Sequence, residues 1–269
     1  MLATLAEPLS ARRIWKFGGI YVPDIFNLLL PGIDLNDPSK TGLSCMAISN
    51  MVDLVHLSDI SEVEETDTSA PGARALRKTP RIAVKDDDNE PVQLEVSDLS
   101  PEEVDNRIRL ATSSFRDWVP DFIGRIILLF ANLPEEGGKS GKAGGKTEQL
   151  TLMSVLHTSG AVFSALDDKL FDGVLEQIYE YVTTTARGNA VDAVGELVRN
   201  MAAANSDKVF ARLFPVAKQR IMAELKAGAS STRTTTTSIP LASDAALHWW
   251  QSILYGMLVP GRLSVSALS

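Results

Sequence analysis

The chain has 269 residues, of which 45% are hydrophobic, so it is long enough to bury a sizeable core in one or two domains. Its 34 acidic residues outnumber its 26 basic residues and give a net charge of −8, which argues against a general binder of nucleic acid or of anionic membranes. Cys45 is the only cysteine, which excludes an intrachain disulfide and a cysteine-based zinc site and favours a reducing compartment.

Residues 1–57 are predicted to form a helical repeat segment. No stretch of the chain reaches the roughly 18 apolar residues needed to span a bilayer, and the start lacks the pattern of a secretion signal, so we expect a soluble, intracellular protein without a membrane partner. A first short helix is predicted to end at Pro31 and Gly32. A second, amphipathic helix begins at Pro38, with Asp37 as its start signal.

Residues 58–98 differ in composition from the rest of the chain. Between Ser58 and Asp105 there are 14 acidic and 5 basic residues, a net charge of −9, so this stretch accounts for the negative net charge of the chain. With few large apolar residues and several prolines, the segment cannot bury enough surface to offset its chain entropy. We predict a disordered acidic insertion, with a structured acidic loop as the alternative.

Helical periodicity resumes in residues 99–258, where Ser100 and Pro101 mark a helix start. The predicted antiparallel helix pairs are 99–133, 147–186 and 188–226. They recur at about 40 residues, a period typical of HEAT repeats. Pro215 is predicted to kink or restart its helix. A last helix follows Ser243, and residues 259–269 are a tail.

The loop 134–147 contains glycines and lysines in a pattern similar to a phosphate-binding loop. A Walker A motif requires glycine five positions before the final Gly-Lys-Thr, and that position, counted back from Gly145, holds Ser140. The apolar run before the loop also resembles the end of a helix rather than the buried strand of such a motif. We therefore predict a flexible linker and no nucleotide cofactor.

The histidines and the cysteine offer little for catalysis. His56, His157 and His248 are each isolated on or beside an apolar helical face, and none forms a pair with metal-ligand spacing. Cys45 lies in an apolar register that is more typical of a buried core thiol than of a nucleophile.

The neighbouring carboxylates Asp167 and Asp168, and Glu135 and Glu136, are predicted at helix starts or in loops, where the helix dipole explains them without acid–base chemistry. We therefore predict that the chain is not an enzyme and has no catalytic, cofactor-binding or metal-binding residues. Its binding residues cannot be assigned from the pattern.

Two groups of residues are weighed as binding surfaces. Trp249 and Trp250 could form an aromatic platform, but adjacent helical positions point about 100° apart, so at most one ring is exposed. The basic residues that could gather near the end of one repeat are Lys218, Arg220, Lys226 and Arg233. They would suit a polyanion such as an inositol phosphate, although a solvated helix face explains them more simply.

Several blocks of sequence follow one another in a fixed order. They are LPGIDLNDPSKT at 30–41, ATSSFRDWVPDFIGRIILLFANLPEEGG at 111–138, GGKT at 144–147, GNAVDAVGELV at 188–198, GASSTRTT at 228–235 and SDAALHW at 243–249. In this order they resemble the giant single-chain proteasome activators that are built from HEAT repeats and act without ATP. The resemblance implies an all-α fold, an α-solenoid of HEAT-like helical repeats with the acidic insertion, and an internal portion of a longer protein.

The resemblance also implies a function. Such activators cap the 20S proteasome core particle and promote peptide and protein degradation, and we expect this chain to be a non-catalytic scaffold portion, located in the nucleus and the cytoplasm. Family members insert a C-terminal hydrophobic-Tyr-X tail into the core particle, whereas this chain ends in Ala267, Leu268 and Ser269. No functional residue is therefore carried over.

Two alternatives stay open. A HEAT or armadillo scaffold, or a nuclear-transport adaptor, would bind basic protein cargo on an acidic inner surface, but it should show a regular ladder of acidic or Asn/Trp residues, which the sequence lacks. A helical enzyme would need a cluster of perturbed titratable groups in a pocket.

Overall fold

The computed structural model describes residues 21–34, 36–53, 55–61, 101–133, 146–229 and 244–259. The α-helices are α1 Val22–Leu29, α2 Pro38–Val52, α3 Pro101–Ala111, α4 Phe115–Ala131, α5 Lys146–Ala165, α6 Asp168–Thr184, α7 Val191–Ala204, α8 Ser206–Lys226 and α9 Ala245–Leu258. Short 3₁₀ turns occupy Leu30–Gly32, Thr112–Ser114 and Gly188–Ala190. Within these ranges the β-structure is a single parallel bridge between Leu57 and Leu166.

The helices form two layers. In layer A, which contains α2, α5, α7 and α9, each helix packs against the next. Layer B contains α1, α4, α6 and α8, again with each helix against the next. From α4 onward the chain alternates between the layers, so every repeat buries its apolar face against its neighbours, as in an α-solenoid. The predicted all-α solenoid is confirmed.

Side-chain caps explain where several helices begin. Asp37 accepts a hydrogen bond from the backbone N–H of Lys40 at 2.9 Å, which confirms the predicted start of α2. Asp167 caps α6 in the same way, through the N–H of Leu170 at 2.8 Å. Asn205 separates α7 from α8 and caps the latter.

The core is continuous through both layers, and its largest side chains are aromatic. In layer B the Trp118 ring stacks on Phe26, with ring centroids 4.7 Å apart, and on Phe122 at 5.2 Å. The Trp118 Nε1–H donates to the carbonyl of Phe26 at 3.0 Å, so this indole is both packed and hydrogen-bonded. These contacts join α1 to α4.

Three details differ from the prediction. Pro215 was predicted to kink or restart its helix; α8 continues through it, so the restart is wrong, because proline inside a helix removes one hydrogen bond but packing can retain the helix, and the kink stays a prediction. The helices α3 and α4 do not form the predicted hairpin; a 3₁₀ turn joins them, and α4 packs on α1 and α6 instead. Residues 58–61, assigned to the insertion, belong to the packed part, since Asp59 is buried.

The predicted insertion otherwise lies outside the described residues, as do the linker 134–145 and the residues after 259. Over the ranges that the structure covers, none of the helices has the length and apolar character needed to cross a membrane.

Candidate functional site

A groove lies on layer A of the described part of the chain. It has a volume of about 1340 Å³ and follows α5 from Gln149 to Ala165, with α2 and the segment after it on one side and α7 on the other. Small residues on the outer stripe of α5, including Gly160 and Ala161, leave the space between the flanking helices. At 1.5 Å per residue, this stretch of helix is about 24 Å long.

Hydrogen bonds between side chains fix the helices that form the groove. The hydroxyl groups of Ser49 on α2 and Thr158 on α5 are 3.0 Å apart. On the other side, the side-chain amide of Asn200 on α7 donates to the carbonyl of Leu156 at 2.7 Å. Since all four partners are buried or partly buried, these bonds set the spacing of α2, α5 and α7.

The lining of the groove combines apolar and acidic side chains. Met153 lies in it and is 62% exposed. The lining carboxylates are Asp53, Asp192 and Glu196, and the only arginine or lysine among the lining residues is Arg199, which forms an ion pair with Glu196. The groove therefore has a negative net charge.

The structure brings together two of the three histidines. His56 and His157 both line the groove, whereas His248 lies on α9 and is partly buried. Sequence reasoning treated them as isolated because they belong to different helical segments, and no spacing rule relates such segments. Among the described residues, no group of three or more His, Cys, Asp or Glu side chains is placed to hold a metal ion.

The other polar candidates have structural roles. Cys45 is buried in the core, as predicted, and burial raises the pKa of its thiol. Asp167 is the helix cap described above, and Asp168 forms an ion pair with Lys208 at 2.9 Å. Glu135 and Glu136 lie outside the described residues.

The two tryptophans of α9 are both core residues. Trp249 is 1% exposed, and its Nε1–H donates to the carbonyl of Val182 at 3.1 Å. Trp250 is also buried. The prediction allowed one exposed ring, and the structure leaves neither available as a platform.

The basic residues near the end of α8 do not converge. Lys218 and Arg220 are both exposed. Residues two positions apart in a helix point in directions about 200° apart around its axis, so these side chains lie on opposite sides of α8. Lys226 is exposed at the end of the helix, and Arg233 lies outside the described residues. A polyanion site stays a prediction.

The loop 134–147 was predicted to be a linker because the preceding run is helical. That run is α4, which confirms the helix, and α5 begins at Lys146, while residues 134–145 lie outside the described part. A nucleotide-binding loop of this type follows a strand, whereas the loop 134–147 follows the helix α4.

No curated protein matches the chain. A family model described as proteasome activator complex subunit 4, mid HEAT repeats region, matches residues 1–265. This range includes all described helices and the acidic segment between α2 and α3. With this extent of match and the two-layered helical solenoid, the chain belongs to the proteasome activator complex subunit 4 family, in its mid HEAT-repeat region.

Proposed function

We propose that the chain is part of the scaffold wall of an activator that caps the 20S proteasome core particle and promotes degradation of peptides and proteins without ATP. The family match over residues 1–265 carries this proposal. The family is a HEAT-repeat scaffold family rather than an enzyme family. The family implies the proteasome as partner, and we propose the 20S core particle as the species that is capped.

A solenoid can form a wall because its repeats stack in one direction. Each repeat contacts only its neighbours, so stacking builds an extended surface whose shape depends on the interface between successive helices. In this chain those interfaces are α2–α5, α5–α7 and α7–α9 in layer A, and α4–α6 and α6–α8 in layer B. A change that separates two of these helices should change the shape of the wall, and with it binding to a large partner.

The experiment uses purified 20S particles and two forms of the protein: the chain itself, and a full-length activator of the family in which the chain replaces the matching region. Binding is measured by pulldown, and turnover of a fluorogenic peptide is followed in the same samples. We expect the chimaera to bind and to stimulate turnover. A chimaera with Trp249→Ala, which removes a core contact between repeats, should lose stimulation, whereas Gly173→Ala should retain it.

A folded chimaera that neither binds nor stimulates would overturn the proposal. The nuclear-transport adaptor would then be tested with basic cargo peptides. We also propose the nucleus and the cytoplasm as the location, to be checked by imaging a fluorescent fusion; exclusive residence in an organelle other than the nucleus would contradict it.

A further inference from the structure

We propose that the layer A groove binds a polypeptide segment that carries both apolar and basic side chains. The proposal concerns the groove between α2, α5 and α7 and does not rest on the proteasome as partner. Its three supports are the shape of the groove, the exposed apolar side chains along it, and the charge that its lining leaves uncompensated.

The shape fits a chain rather than a compact small molecule. The groove is open and follows α5 for about 24 Å, a length that matches about 16 residues of helix or about seven residues of extended chain. Its volume of about 1340 Å³ exceeds the usual range for a drug-sized ligand. An elongated occupant would use this space best.

The apolar contribution comes from α5. Met153 lines the groove and is 62% exposed. Leu150 lies one turn earlier on the same helix and is equally exposed, although it does not line the groove. Leu152 and Ala161 add partly buried apolar surface to the lining. A run of exposed apolar side chains beside a groove typically marks an interaction surface, and methionine adapts its shape to different partners.

The negative charge of the groove lining favours basic side chains in the segment that binds there. Glu196 is paired with Arg199, but no ion pair or hydrogen bond to another described residue engages the carboxylate of Asp53 or of Asp192. Asp53 follows the last residue of α2, where the negative end of the helix dipole disfavours a carboxylate, so helix stability does not explain it. Asp192 lies in the first turn of α7, where the dipole favours it.

Two carboxylates on opposite walls of a groove of mixed polar and apolar lining attract lysine or arginine side chains and repel phosphates, which argues against nucleic acid or an anionic lipid as the occupant. A second copy of the chain is also disfavoured, because a symmetric contact would bring Asp53 and Asp192 of both copies to the same interface. A segment with leucine-like anchors and flanking lysine or arginine residues satisfies both the apolar and the acidic lining.

The test measures binding of fluorescent peptides of about 16 residues to the whole chain by anisotropy at low salt. The probe peptide contains Leu and Lys in an amphipathic pattern. One control peptide replaces Lys with Glu, and another replaces Leu with Ser. We expect the Leu/Lys peptide to bind and both control peptides to bind at least about tenfold more weakly.

Variants then locate the site. Asp53→Lys with Asp192→Lys reverses both unpaired charges and should weaken the Leu/Lys peptide about tenfold. Asp121→Lys with Glu180→Lys makes the same change in net charge at exposed positions on layer B and should leave affinity within about twofold. Met153→Ser should weaken binding without a change of charge. Circular dichroism checks that every variant is folded.

Three results would overturn the proposal. In the first the Leu/Lys peptide does not bind at all, in the second the two charge-reversal variants lose equal affinity for it, and in the third the control peptide with Ser in place of Leu binds as tightly as the Leu/Lys peptide. The first would leave the groove without this ligand, and the other two would show attraction to the overall negative charge. Sedimentation that shows a dimer dissociated by the Asp53 and Asp192 changes would also overturn it, in favour of a second copy as the occupant.

Discussion

The two layers of the solenoid hold successive repeats together by different physical means. In layer A, α7 and α9 meet at two glycines. A Cβ atom added at Gly256 would lie 2.3 Å from the carbonyl oxygen of Gly195, so the two backbones are already in close contact. In layer B, α6 and α8 are joined by charged side chains instead: Arg212 donates two hydrogen bonds to Glu176, at 2.7 and 2.8 Å.

The geometry of the repeats is determined mainly where the backbones of neighbouring helices are in close contact. Close backbone packing fixes the distance between α7 and α9, because no rearrangement of a side chain can relieve an added atom. Exposed ion pairs fix little, because water and salt screen them and long side chains lose entropy when they pair. We therefore expect layer A to control the stability of the repeats and layer B to adjust it.

The largest effect is expected for Trp249→Ala on α9 of layer A, whose indole packs against α6 of layer B. The indole is 1% exposed, contacts the Tyr181 ring edge-on with centroids 6.1 Å apart, and donates to the carbonyl of Val182. Loss of a buried indole costs about 3–5 kcal/mol through lost burial and a residual cavity. Urea unfolding measures the loss, and Trp249→Phe, which keeps most of the ring, should lose much less. Equal losses in the two variants would contradict a packing role.

Gly256→Ala is expected to cost about 3 kcal/mol, because the new methyl group meets the backbone of Gly195 and Arg199 and forces α7 and α9 apart. The matched control is Gly173→Ala in α6, where an added Cβ meets nothing within 4 Å. That control should stabilise the protein by about 0.5–1 kcal/mol through helix propensity. Thermal unfolding compares the two; a neutral Gly256→Ala would show that the contact is not tight.

Asp59 links the segment after α2 to layer B and offers a smaller, pH-dependent test. Burial raises the pKa of Asp59, but hydrogen bonds from Ser61 and Arg116 outweigh it and hold the pKa below the ordinary value of 3.8. The charged form is therefore stabilised in the folded state. Asp59→Asn should cost about 2 kcal/mol at neutral pH, in the range of a hydrogen bond to a charged group.

The sign of the pH dependence follows from the lowered pKa. The contribution of Asp59 is fully present above the unfolded value of 3.8 and is lost as the pH falls through the folded pKa. The difference between wild type and Asp59→Asn should stay constant from neutral pH to about pH 5 and decline below 3.8. Urea titrations across this interval measure it; a difference that grows on acidification would refute the assignment.

Local sequence signals predicted the helices well, because caps and apolar stripes depend on neighbouring residues. Asp37 before Pro38 marked the start of α2, and the apolar residues of α6 that recur at helical spacing, such as Val174 and Ile178, are buried. Signals that depend on distant parts of the chain were not readable. Nothing near Gly195 in the sequence indicates that Gly256 will touch it.

The candidate groove shows the same limit. Its two walls come from α2 and α7, and the histidines, the unpaired carboxylates and Met153 meet only after the repeats stack. The composition placed the acidic character in the segment after residue 58, so the smaller acidic groove on layer A was missed. Leu150 and Met153 are exposed on α5 together with the polar Gln149, and a helical projection of α5 would have shown these apolar residues beside a polar one.

The smallest effect is expected for the loss of the exposed Arg212–Glu176 ion pair in layer B. Arg212 pairs with Glu176 and lies 3.4 Å from the centre of the Tyr179 ring, and the hydrogen bonds from Arg212 lower the pKa of Glu176. Because the pair is exposed, Arg212→Met should cost less than about 1 kcal/mol, and most of that cost should vanish in 1 M NaCl, where charges are screened beyond about 3 Å. The loss from Gly256→Ala should persist in the same salt, since steric contact is not screened. If Arg212→Met were as costly as Gly256→Ala, or equally insensitive to salt, the two layers would not differ in how they hold the repeats.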